Sequence, residues 1–124
     1  MSTVLVQKTK ADQRAVFADS RNVVKGAALD PSFTSGGDDC RLQFFQWGQL
    51  LDGGWAVEFL EGVRLKLALG KEDEIYFYVA EQARRECENR GVTSDNFAFD
   101  CTGTGLGLKS VLTRVWPGVH HYVE

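Results

Sequence analysis

A chain of 124 residues suits one folded domain and leaves little room for a second. Its 44% hydrophobic and 25% charged content matches ordinary globular usage and excludes a disordered chain, a collagen and a coiled coil. Seventeen acidic against fourteen basic residues leave a net charge of −3, so any contact with DNA has to be local or assisted by metal ions rather than driven by bulk attraction.

Residues 1–22 are polar and mixed in charge and are expected to form an arm or linker, with a short helix around 11–18. The stretch MSTVLVQKTKADQR lacks the uninterrupted apolar run of a signal peptide. No later segment approaches the roughly 20 apolar residues of a membrane span, so a cytoplasmic chain with no membrane partner is expected. From Val23 the character changes and a domain over 23–124 begins. VVKGAALD is small and apolar and stops at Asp30-Pro31, as a buried strand does before a residue that cannot donate to a ladder. PSFTSGGDD is a loop or tight turn.

CRLQFFQW is expected to be the second strand, and an Asp-Gly-Gly turn leads into WAVEFLEGVRLKLAL, where Trp55, Val57 and Phe59 alternate with Ala56, Glu58 and Leu60. These two strands form an antiparallel hairpin, and Gly62 marks a bulge. Beyond Lys71 the period changes. Ile75, Val79, Ala83 and Cys87 recur at steps of four, and Gly91 closes an amphipathic helix of about five turns. FAFD is a short strand ending at Asp100. A glycine-rich bend then precedes a second helix built on Leu108, Val111, Leu112 and Val115, which stops before Pro117, and VHHYV is a last strand. A hairpin followed by alternating helices and strands gives an α/β fold with a mixed sheet.

Two apolar strands end alike, GAALD at Asp30 and NFAFD at Asp100. If they lie side by side and parallel, their carboxylates converge at one rim of the sheet, and two such anions need a proton or a cation between them. Oxygen-only ligands favour Mg²⁺ or Mn²⁺. The plainer alternative is that each Asp caps a turn or helix. Gly103, Gly105 and Gly107 before Lys109-Ser110 fit neither nucleotide-binding spacing: a P-loop needs glycine where Leu108 stands, and so does a dinucleotide fingerprint starting at Gly103. His120 and His121 are adjacent on a strand and point to opposite faces. Arg84, Arg85 and Arg90 are balanced by Glu81, Glu86 and Glu88, as on a solvated helix face. Cys40, Cys87 and Cys101 are odd in number with no CxxC pair, which suggests neither a disulfide framework nor a zinc site, and Cys101 is expected to be a packing residue.

LDPSFTSGGDDCRL at 29–42 and NFAFDCTGTGLGLKSVLTRVW at 96–116 resemble the two acidic motifs of the nuclease domain in large terminase subunits of tailed bacteriophages, and QARRECENRGV resembles the helix before the second motif. The resemblance runs from about Val23 to the C-terminus. It implies an RNase H-like fold and a metal-dependent endonuclease that cuts concatemeric double-stranded viral DNA, with two Mg²⁺ or Mn²⁺ ions. It also implies the terminase ATPase domain, the small terminase subunit and the portal as partners in the host cytoplasm. Asp30 and Asp100 match the family's acidic residues, and Asp38 matches an acidic position in the following loop that is a secondary metal ligand or DNA-loop residue. Lys109, Arg41 and Arg114 are the DNA-backbone candidates.

The family's third catalytic acid lies beyond the last strand, whereas this chain stops at Glu124. The expectation is therefore a C-terminally truncated domain, and no P-loop for an ATPase motor is present. The rival from another class is a catalytically silent RNase H-like scaffold that docks packaging proteins or self-associates.

Overall fold

The apolar run before Asp30 becomes strand β1 (Val24–Asp30), and it lies at the centre of the sheet. The structure, a computed structural model, describes residues 17–31, 40–66, 72–101, 105–118 and 121–123. After β1 come strands β2 (Cys40–Gln49) and β3 (Trp55–Leu65), helix α1 (Glu72–Asn89), strand β4 (Phe97–Asp100), helix α2 (Gly105–Val115) and strand β5 (His121–Val123). They form one five-stranded mixed sheet in the order β3-β2-β1-β4-β5. β2 pairs antiparallel with both β1 and β3, while β4 runs parallel to both β1 and β5. β5 returns to β4 through α2, and β4 follows α1, so a helical crossover precedes each parallel strand of the second half.

Both α-helices pack on one face of this sheet. Ala27, Leu29, Leu42, Phe44, Phe97 and Phe99 meet the buried stripe of α1 (Val79, Ala83, Cys87) and that of α2 (Leu108, Val111, Leu112) in one cluster. Trp116 closes the cluster edge-on against Phe97, with ring centroids 5.3 Å apart. The step-of-four residues of α1 are thus its core face, Ile75 being only partly buried. The helix ends as Gly91 demands. At φ +74° its N–H donates to Glu88 O, and the Val92 N–H donates to Cys87 O at 2.9 Å, while Val92 and Cys87 are both buried.

The hairpin forms around Asp52, whose carboxylate accepts from the Gly54 N–H at 2.9 Å. In the β2–β3 ladder Gln43 faces Gly62 but Phe45 faces Phe59, so β3 carries one extra residue beside Gly62, where the bulge was expected. The Gln43 side chain occupies this irregularity, its Nε2 donating to Leu60 O at 2.8 Å and to Phe44 O at 2.9 Å. On β3 the alternation is inverted relative to hydrophobicity. Ala56 and Glu58 are the buried residues, whereas Trp55 and Phe59 are 37% and 49% exposed.

Two arginines of this charged helix face pair with its glutamates and also have further specific partners. Arg84 Nη1 donates to Val115 O at 2.7 Å, satisfying a carbonyl that the last turn of α2 leaves open. Arg90 donates to Glu61 of β3 and to Glu86, with its guanidinium 4.4 Å above the Phe44 ring. At the other end of the chain, the helix expected at 11–18 does not reach its last residues. Phe17 bridges to Leu50, and the Ala18 N–H donates to Gln49 O at 2.8 Å; residues 11–16 lie outside the described residues. Asp19 caps a 3₁₀ turn at Ser20–Asn22, and hydrogen bonds from Arg21 hold its carboxyl below the usual value. No described helix is long and apolar enough to cross a membrane.

Gly107, in the first turns of α2, is dictated by the facing helix, because a Cβ there would stand 2.5 Å from the Tyr76 ring of α1. Gly107→Ala should therefore destabilise the fold by about 1–3 kcal/mol in urea denaturation, and most of that loss should vanish in a Tyr76→Leu background. The three cysteines are buried and none forms a disulfide. Desolvation pushes the Cys87 thiol from its ordinary 9.0 to about 12, so its proton stays on in the folded state. The stability this contributes is complete below pH 9.0 and is lost as pH rises towards about 12. Ellman's reagent at about pH 8 should leave native Cys87 unmodified and react with it after unfolding.

Candidate functional site

The last paired residues of β1 and β4 are Leu29 and Phe99, and each strand ends on the next residue, an aspartate. Asp30 and Asp100 are therefore neighbours at the carboxyl ends of adjacent parallel strands, whose spacing is about 4.8 Å. Leu29 and Phe99 point into the helix-covered core, so strand alternation turns both aspartates to the opposite face, and both are exposed. Pro31 and Cys101, the residues that follow, are buried, which anchors the chain on both sides of the rim.

Register extends this pair into a row. Asp30 lies opposite Arg41 of β2, and Arg41 lies opposite Arg64 of β3. Across four strands of the open face the order is thus Asp100, Asp30, Arg41, Arg64, two carboxylates followed by two guanidinium groups. The rows behind it become progressively apolar. Ala28 faces Gln43, Gly26 faces Phe45, and Val24 faces Trp47, with Phe59 and Val57 continuing the last two rows on β3. Phe45 and Trp47 stack with centroids 5.6 Å apart. They lie so close to β1 that a Cβ on Gly26 would come within 2.9 Å of both rings.

The charged end of this face brings two carboxylates to one rim. Two adjacent carboxylates repel, and a hard divalent ion relieves the repulsion while satisfying its own preference for oxygen donors. Among the described residues, no group of three or more His, Cys, Asp or Glu side chains is placed to hold a metal. The pair thus supplies two donors, and Asp38, the further ligand candidate, lies outside the described residues. Of the basic candidates, Arg41 shares the face and the row with Asp30. Arg114 belongs to the helical layer, with its guanidinium 5.9 Å from the Phe77 ring of α1, and Lys109 sits half-buried on α2. Gly103, His120 and Glu124 also lie outside the described residues, and Gly107 serves the contact with Tyr76.

Arg64 is absent from the sequence-derived candidates. Its position opposite Arg41 follows only from the hairpin register and the bulge. Glu58 gave no signal either, since it stands in an alternation whose aromatic members look like the core set. It is 2% exposed and accepts from Gln46 Nε2 at 2.6 Å. Removing that donor by Gln46→Leu should cost about 1–3 kcal/mol in urea denaturation, because a buried carboxylate loses a hydrogen bond.

Comparison of the chain with protein-family models, with curated proteins and with solved structures found no match.

Proposed function

We propose that this chain is a divalent-metal-dependent endonuclease domain of the terminase type, with an RNase H-like sheet, acting on the phosphodiester backbone of concatemeric double-stranded DNA. The observation that carries this reading is the adjacency of Asp30 and Asp100 at the ends of two parallel strands. Residues 70 positions apart in the sequence share one rim, and both belong to the motifs that resemble the nuclease family. The mixed sheet, with its antiparallel β1–β2–β3 portion followed by helix-connected parallel strands, is compatible with that fold.

In this reading Asp30 and Asp100 would hold the metal, because two carboxylates at one rim offer the oxygen donors a hard divalent ion prefers. A bound Mg²⁺ or Mn²⁺ supplies Lewis-acid polarisation of the phosphate and a more acidic water. The chain's own part is positional. The two carboxylates are set by backbone pairing rather than by loop residues, and Arg41 beside Asp30 brings positive charge to the same rim. The resemblance also implies Asp38 as a secondary ligand or DNA-loop residue, and the ATPase domain, small subunit and portal as partners.

Asp30→Asn and Asp100→Asn should each abolish Mn²⁺-dependent nicking of supercoiled plasmid, and nicking at the parental rate would refute the assignment. In a thermal-shift titration, millimolar Mn²⁺ should raise the melting temperature of the parent chain and leave that of Asp30→Asn unchanged. Without metal the Asn variant should melt at the same temperature or higher, since a repulsion is removed; this separates lost ligation from lost folding.

A second reading, a catalytically silent interaction module, is favoured by one observation. Trp55 and Phe59 stand exposed on the face opposite the helices, beside half-buried Phe45, Trp47 and Val57. Absence of any Mn²⁺ response in the same titration would favour it.

A further inference from the structure

We infer that Arg41 and Arg64 together grip the phosphodiester backbone of the DNA, so that one strand crosses the open face of the sheet along the row from Asp100 to Arg64. The inference rests on the nuclease reading and deepens it, by giving the substrate a direction and adding a residue, Arg64, to its binding surface.

Geometry comes first. Asp30 faces Arg41 and Arg41 faces Arg64 in two consecutive antiparallel registers, and Asp100 stands next to Asp30 on the parallel side. All four side chains leave the same face, and all four residues are exposed. Four strands at a spacing of about 4.8 Å make this row about 14 Å long, the axial length of about four nucleotides in one strand. The row follows the hydrogen-bonding direction of the sheet and turns with its twist. The bulge begins one row further in, past the Gln43–Gly62 pair, and does not disturb it.

Charge comes second. Guanidinium groups present planar forks that fit phosphate oxygens two at a time. The chain has a net charge of −3, so a polyanion gains nothing from its overall field and needs such a local cationic pair. The pair stands immediately beside the carboxylates proposed to hold the metal. The phosphates next to the scissile one would therefore meet Arg41 first and Arg64 second.

The test uses the full chain and a fluorescein-labelled DNA duplex in Ca²⁺, followed by anisotropy over a series of salt concentrations. Arg41→Gln and Arg64→Gln should each weaken binding roughly fivefold and lower the slope of log K against log salt by about one, whereas Arg85→Gln, exposed on α1, should change neither. Arg64→Lys should keep the parental salt slope while binding more weakly, because it retains the charge and loses the fork. Parental affinity and slope in both Gln variants would overturn the inference, and the nuclease reading would survive this if Asp30→Asn still abolished nicking. Loss of binding in Arg64→Gln together with undiminished nicking by Asp30→Asn would uphold the backbone contact and overturn the metal assignment. A parent chain that neither binds nor nicks would overturn both.

Discussion

The parallel pairing of β1 with β4 is the constraint on which the site depends. Carboxylates at the ends of two strands meet only if the strands are adjacent, run the same way and end at the same register, and here all three conditions are met at Asp30 and Asp100. A chain can place a distant strand parallel to its first only by crossing over, and the crossover is α1. Seating α1 is therefore the condition for the site. Its buried stripe packs on the same sheet face as Leu29 and Phe99, the two side chains whose burial turns the following aspartates outward.

That seating is reinforced by polar contacts as well as by apolar burial. Arg90, at the end of α1, reaches Glu61 beside the bulge and lies over Phe44, so it ties the helix to the β2–β3 hairpin. Arg84 closes the last turn of α2 through Val115. Gly107 lets α2 approach Tyr76, which brings the second helix close to the first. An ion pair at a half-exposed arginine is worth little alone. Together these contacts fix particular groups of the two helices to each other and to the hairpin.

The two faces of the sheet have divided their tasks. The covered face holds the core, with one buried carboxylate among the described residues, Glu58, which accepts from Gln46 on the neighbouring strand. The open face grades from the charged row at its carboxyl rim to stacked Phe45 and Trp47 and exposed Trp55 and Phe59 towards the hairpin turn. A polyanion and an apolar partner would therefore engage different ends of one surface, which is why the nuclease and scaffold readings make separable demands on it.

Much of the chain was legible without coordinates. Period-two and period-four apolar patterns, the Asp-Pro stop, the Asp52 turn and the glycine at 91 marked the strands, the hairpin and both helices, because these signals are local and come from backbone sterics and side-chain spacing. The repeated ending of GAALD and NFAFD also named the two aspartates. Several features were not legible. The alternation of β3 could not reveal that Glu58 goes inward while Trp55 and Phe59 stay outward, since a strand's period is the same on either face. Nor could composition distinguish Arg84 and Arg90, which have specific partners, from the solvated charges around them. Residue types and local spacing thus determined by themselves which elements form and where they end. The pairing of β1 with β4, the register that aligns Asp30 with Arg41 and Arg64, and the choice of covered face were decided only by tertiary structure, because each depends on contacts between segments far apart in the chain.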